Sequence, residues 1–195
     1  RHVRRMVPVW SLPGSLRLRE ALERGRRAGF ERHGPQSSDI AFLQYTGGTT
    51  GRAKGAVLSH GNIVANMAQA RAWIRPRVRE GEELIVTALP LYHIFSLTAN
   101  CLVYSSFGAA NLLITNPRDI PGFVRELGKY RFTAITGVNT LFNALLNHPD
   151  FARLDFSALK ITLGGGMAVQ RPVAERWRAQ TGTPLIEAYG LTETS

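Results

Sequence analysis

This chain is poor in cysteine, lysine and acidic residues. Its single cysteine, Cys101, lies in an apolar run, so no internal disulfide can form and a reducing cytosol fits. Only 14 Asp and Glu stand against 24 Lys and Arg over 195 residues, and nine of the arginines precede Gly34. The resulting charge of +10 favours anionic partners, but no basic stripe interleaved with aromatics accompanies it, which argues against nucleic acid. The charged N-terminus has no apolar stretch behind it, so no signal peptide is expected. The uncharged run 93–117 is long enough to suggest a membrane span. Asn100, Ser105, Ser106, Gly108 and Asn111 interrupt it, and a buried helix followed by a buried strand is the better reading. With 44% hydrophobic and 19% charged residues the composition is that of a globular protein, able to bury roughly 70% of its unfolded surface.

Residues 1–39 read as a connecting region, with a short strand over 1–9, a turn at Leu12-Pro13-Gly14 and a helix over 15–28. From residue 40 to 195 the pattern is α/β. Strands are expected at 40–45, 56–59, 84–89, 111–115, 133–136, 160–163 and 184–188. Helices are expected over 62–73, from Leu91 to Phe107, from Asp119, over 139–146 and over 170–180. Pro121 and Pro172 stand in first turns, where proline forfeits no hydrogen bond, and Gly182 follows the last helix. Alternating strands and helices predict a mostly parallel sheet flanked by helices on both faces, with ligands bound outside the carboxyl ends of the strands. Four chemically distinctive segments follow predicted strands and can line one crevice there.

The most distinctive runs Tyr45-Thr-Gly-Gly-Thr-Thr-Gly-Arg-Ala-Lys-Gly55. Gly47, Gly48, Gly51 and Gly55 allow several backbone N–H groups to converge on one anion, because no Cβ obstructs them. Thr46, Thr49 and Thr50 add hydroxyl donors, and Lys54 adds a point charge on a flexible stem. A Walker A loop is excluded, since Gly51 and Lys54 are separated by Arg52 and Ala53 and Gly55 follows the lysine. By composition alone the run also suits a flexible hairpin between two strands.

Its order, however, resembles the signature phosphate loop of the adenylate-forming enzymes, the family of acyl-CoA synthetases, luciferases and peptide-synthetase adenylation domains. In that family the loop holds the β- and γ-phosphates of ATP. Three further segments extend the resemblance. Pro90-Leu-Tyr-His-Ile-Phe95 places His93 where the family lines its acyl pocket, although a histidine among apolar neighbours also suits a core. Gly164-Gly165-Gly166-Met167 suits either a tight strand-to-helix turn or close approach of backbone to adenine and acyl chain. Tyr189-Gly190-Leu-Thr192-Glu193, about 140 residues downstream of the loop, resembles the motif in which tyrosine stacks on adenine, threonine meets the α-phosphate and glutamate holds Mg²⁺.

Stretches such as Ala88–Phe95, Leu112–Pro121 and Thr133–Asn143 are similar in particular to bacterial long-chain fatty acid CoA ligases. The resemblance implies adenylation of a long-chain fatty acid by ATP with Mg²⁺, then transfer to coenzyme A. An aryl or amino acid substrate, or a nucleotide- or lipid-binding module without turnover, remains the alternative. It also implies that a ribose-binding aspartate, a hinge and a lysine-bearing C-terminal domain lie outside these residues, which correspond to the centre of a larger N-terminal domain. Loose contact with the inner face of a membrane fits the arginine excess. Pairing of two copies, as a homodimer covering surface that other parts would bury, is left open by the sequence.

Overall fold

A computed structural model describes residues 11–46 and 53–195, and the chain divides into two units, one ending at Gly34 and one running from Pro35 to Ser195. The strand expected over 1–9 and most of the phosphate loop, residues 47–52, lie outside the described residues. In the first unit Ser15 N donates to Leu12 O at 3.1 Å across Pro13 and Gly14, whose φ of +78° suits the third position of a tight turn. Helix α1 (Leu18–Arg27) follows and buries none of its residues. Its ion pair among the described residues, Arg24 to Glu20 at 2.7 Å, is exposed and contributes little.

The second unit opens with an antiparallel hairpin, β1 (Ile40–Thr46) and β2 (Lys54–Ser59). The strand that precedes the phosphate loop thus belongs to a separate two-stranded sheet, the hairpin that composition also suited, and not to the main parallel sheet. The connection between the two strands is far shorter than the dozen or more residues a parallel crossover needs, so the chain can only fold back on itself. Ser59 ends β2 and at once caps α2 (His60–Ile74): its hydroxyl accepts from Asn62 N, and the Asn62 side chain accepts from Ser59 N. Asparagine thus completes a capping box normally closed by Glu or Gln. Residues 35–39 join this unit, with Ser37 O and Asp39 O accepting from Gly61 N and His60 N.

The main sheet contains β3 (Leu84–Thr87), β4 (Ala110–Leu113), β5 (Ala134–Gly137), β6 (Ile161–Gly164) and β7 (Leu185–Glu187), all parallel in the order β4-β3-β5-β6-β7. Helices α3 (Ile120–Leu127), α4 (Asn139–Leu146) and α5 (Arg171–Thr181) alternate with the later strands. Asp119 caps α3 through Gly122 N at 2.9 Å, and Gly182 ends α5 with φ +75°. One face of the sheet packs Phe123, Leu127, Phe142, Leu145 and Trp177 over Val86 and Ile135. The Trp177 and Phe142 rings meet edge to face at 4.8 Å, and Trp177 Nε1 donates to Thr162 Oγ1. On the other cluster Tyr104 packs with Ile85, Ala134 and Ile161, and Ile74 and Val78 close over them. The strand order reverses at β3, so the segments leaving β3 and β5 diverge and open a crevice at the carboxyl ends.

Within the run expected to be helical from Leu91 to Phe107 a helix forms over residues 94–105, and its centre, Ser96–Val103, is a π-helix. Asn100 in that π-helix is fully buried and donates to Thr87 Oγ1 at 2.9 Å and Val86 O at 3.3 Å, while its own Oδ1 accepts from Thr136 Oγ1 at 2.8 Å. Asn111 joins by donating to Asn100 O and accepting from Thr87 Oγ1. Asn100 and Asn111, two of the residues that break the apolar run, therefore fasten this wall to β3, β4 and β5. No helix among the described residues is long and apolar enough to cross a membrane.

At the opposite end of the sheet Glu83 is buried and accepts from Lys160 Nζ and Arg79 N, both at 2.6 Å. Burial pushes its carboxyl up, but hydrogen bonds from Lys160, Thr133 and Arg79, with the Lys160 charge, more than offset this and hold it below the usual range. A lowered folded-state pKa contributes stability above the unfolded value and loses it as pH falls through the folded one. Glu83→Gln is expected to cost about 2 kcal/mol at neutral pH, less than for a fully buried pair because Lys160 is partly exposed. Urea unfolding should show that gap closing in acid; a gap independent of pH would contradict the assignment.

Candidate active site

A cavity of about 670 Å³ lies at the carboxyl ends of the strands, within the usual range for small-molecule sites. It collects most of the residues singled out from the sequence that are described: Thr46 and Lys54 from the hairpin, His93 from the segment after β3, Gly165 and Gly166 after β6, and Tyr189, Gly190, Thr192 and Glu193 after β7. Tyr45, Gly55, Gly164 and Met167 are not among its lining residues. Gly47, Gly48, Thr49, Thr50 and Gly51 lie outside the described residues.

The hairpin register explains the first division. Thr46 pairs with Lys54, and Tyr45 with Gly55, and successive residues of a strand face opposite sides. Lys54 and Thr46 turn to the cavity, whereas the Tyr45 ring covers Gly55, its nearest atom 3.4 Å from where a Cβ would stand. Gln44 Nε2 donates to Tyr92 O at 2.5 Å, tying this hairpin to the segment that bears His93. His93 is exposed at the cavity rather than packed in the core, and its Nδ1 accepts from Phe95 N at 3.3 Å.

Gly164, which ends β6, and Gly165 and Gly166 after it each have an intramolecular reason. A Cβ on Gly164 would lie 2.6 Å from Val169 Cγ2, and one on Gly165 would lie 3.0 Å from the Phe95 ring. Gly166 adopts φ +76°, a left-handed conformation that side chains disfavour. The turn reading accounts for all three, and Gly165 and Gly166 also offer backbone to the cavity.

Sequence reasoning missed two walls. Asn66 and Ala70 of α2 supply one, and Thr98, Ala99 and Val103 of the π-helix supply the other. Thr98 is buried, and its hydroxyl has no hydrogen-bond partner among the described residues, so a polar group is left for an occupant to satisfy. The sequence carried no signal for it, because a π-helix turns its side chains by a period that pattern reading does not test.

Lysine, threonine hydroxyls and backbone thus share one cavity with the apolar side chains of Ile94, Phe95 and Val103. That combination suits a ligand with an anionic part and an apolar part. Among the described residues no three His, Cys, Asp or Glu side chains group around a possible metal. A lone carboxylate, Glu193, beside the Thr192 hydroxyl fits Mg²⁺, which commonly takes one or two protein carboxylates and fills its shell with water and substrate phosphates.

A family model described as AMP-binding enzyme matches residues 5–195. A Yersinia pestis protein named long-chain-fatty-acid–CoA ligase is 56% identical over 195 residues, which is 100% of this chain and 35% of that protein. A Salmonella typhimurium protein of the same name is 58% identical over 193 residues, 99% of this chain and 34% of the other. The chain spans about a third of the length of the curated relatives it matches. Among solved structures, ATP-bound MatB from Rhodopseudomonas palustris superposes with a TM-score of 0.74 at 26% identity, covering 89% of this chain and 34% of that one.

Proposed function

The chain belongs to the AMP-binding enzyme family, and on that premise we propose that it is the nucleotide- and acyl-binding part of an ATP-dependent long-chain fatty acid CoA ligase. The observation that carries the proposal is the single cavity that gathers Lys54, His93, Thr192 and Glu193 from segments spread over the chain. Identity of 56% and 58% to proteins bearing that name supports the substrate class.

In the first step a fatty acid carboxylate oxygen bonds to the α-phosphorus of ATP. The bond from that phosphorus to the bridging oxygen breaks, and its electron pair leaves with pyrophosphate. In the second step the coenzyme A sulfur, its proton lost to water, bonds to the acyl carbon, and the bond from that carbon to the phosphate oxygen breaks, its electron pair leaving with AMP. Lys54, Thr46 and the loop residues Gly47, Gly48, Thr49, Thr50 and Gly51 hold the leaving pyrophosphate. Thr192 meets the α-phosphate and the Tyr189 ring covers adenine, with Gly165, Gly166 and Gly190 lending backbone. His93 and the π-helix line the acyl part, where Thr98 offers its unpaired hydroxyl. Glu193 and Thr192 would hold Mg²⁺, which when bound neutralises phosphate charge. The protein's contribution is positioning and charge stabilisation.

The proposal is tested by pyrophosphate release from the full-length protein with long-chain, short-chain and aryl acids in competition. Preference for the long-chain acid is expected; preference for a short or aromatic one overturns the substrate class.

The proposal extends to loose contact with an anionic membrane surface. Arg19, Arg26 and Arg27 of α1 are exposed alongside Leu18 and Leu22, a composition suited to lipid head groups. Co-sedimentation with anionic but not neutral vesicles is expected, weakening as salt rises. Equal recovery with both would remove this part.

A further inference from the structure

Helix α2 carries an amide whose bond reaches across the cavity wall. Asn66 Nδ2 donates to Thr194 O at 3.3 Å, bridging 128 residues of sequence. The turn it touches is itself closed: Thr194 Oγ1 donates to Leu191 O at 2.9 Å and accepts from Leu191 N at 3.2 Å. Thr192 and Glu193 lie between those two tied ends, so wherever the turn is fixed the backbone that bears them is fixed with it.

The far end of the tie is equally defined. Because Ser59 is both the last residue of β2 and the cap of α2, no loop separates the strand that begins at Lys54 from the helix that bears Asn66. Asn66, Lys54, Thr192 and Glu193 all line the one cavity.

We infer that Asn66 is a positioning residue that locks the Thr192–Glu193 turn to the strand and helix carrying Lys54, holding the two halves of the nucleotide site in register. The inference rests on the reading of Lys54 and Glu193 as nucleotide-facing. Asn66 works through a backbone carbonyl and touches no reacting atom. Its amide is suited to this because it presents an N–H donor to that acceptor. Aspartate has the same shape but presents only acceptors, which the carbonyl repels.

Asn66→Ala and Asn66→Asp in the full-length protein separate this role from packing. Asn66→Ala is expected to raise the ATP KM and lower the adenylation kcat together by roughly tenfold, about what loss of an ordinary hydrogen bond produces. Asn66→Asp should be worse than alanine, with the fatty acid KM unchanged in both. Calorimetric affinity for ATP, measured without turnover, should fall in the same order, and melting temperatures should stay near wild type. An aspartate variant as good as wild type overturns the inference, as does loss of activity in step with loss of melting temperature. Wild-type protein that neither binds ATP nor releases pyrophosphate would instead overturn the functional reading beneath it.

Discussion

Replacing Lys54 by alanine in the full-length protein is expected to slow adenylation by about 10²–10³-fold, the effect of removing one preorganised charge from a developing anion. The negative charge of the reaction collects on the departing pyrophosphate. Lys54 stands at the start of β2, exposed and facing the cavity, and makes no ion pair among the described residues. Its charge is therefore available to a ligand, and its removal breaks no internal bridge. The expected signature is a large fall in kcat/KM for ATP with the melting temperature unchanged. Lys54→Arg keeps the charge but exchanges a compact ammonium for a broad planar fork, so partial recovery is expected. A near-normal rate in the alanine variant would remove Lys54 from the mechanism.

Glu193→Ala is expected to be of the same size and to differ in kind. The carboxylate lies in the closed turn after β7, exposed to the cavity and without an ion-pair partner among the described residues. If it holds Mg²⁺, its removal should abolish the gain in ATP affinity that Mg²⁺ confers, a quantity calorimetry reads without catalysis. Affinity for ATP without Mg²⁺ should change little or improve, since one negative charge has left the site. Glu193→Gln should behave as alanine does, because a neutral amide is a poor ligand for a hard cation. Undiminished dependence on Mg²⁺ in either variant would take the metal away from Glu193.

Elements whose boundaries depend on local chemistry were legible in the sequence. The Asp119 cap and the left-handed Gly182 stand where proline, glycine and side-chain caps placed them, and the helix over 139–146 keeps its expected bounds. The parallel sheet followed from alternation of strands and helices. The hairpin stood only as an alternative because strand periodicity says nothing of partner or direction; the short connection between Thr46 and Lys54 contained that information. The π-helix was invisible because the Asn100 network that accompanies it joins residues up to 36 positions apart. At the site, Lys54, His93, Thr192 and Glu193, which motif order singled out, line one cavity. It did not separate Tyr45, which covers Gly55, from Thr46, which faces the cavity. Nor did any local pattern point to Asn66, whose partner is more than a hundred residues away.

The most direct test is calorimetric titration of the full-length protein with a non-hydrolysable long-chain acyl-adenylate mimic, beside an aryl-adenylate mimic. One cavity that serves both nucleotide and acyl chain predicts tight binding of the long-chain form and much weaker binding of the aryl form, with Lys54→Ala changing neither greatly, because the mimic lacks pyrophosphate. Failure of both mimics to bind, or preference for the aryl form, would contradict the account.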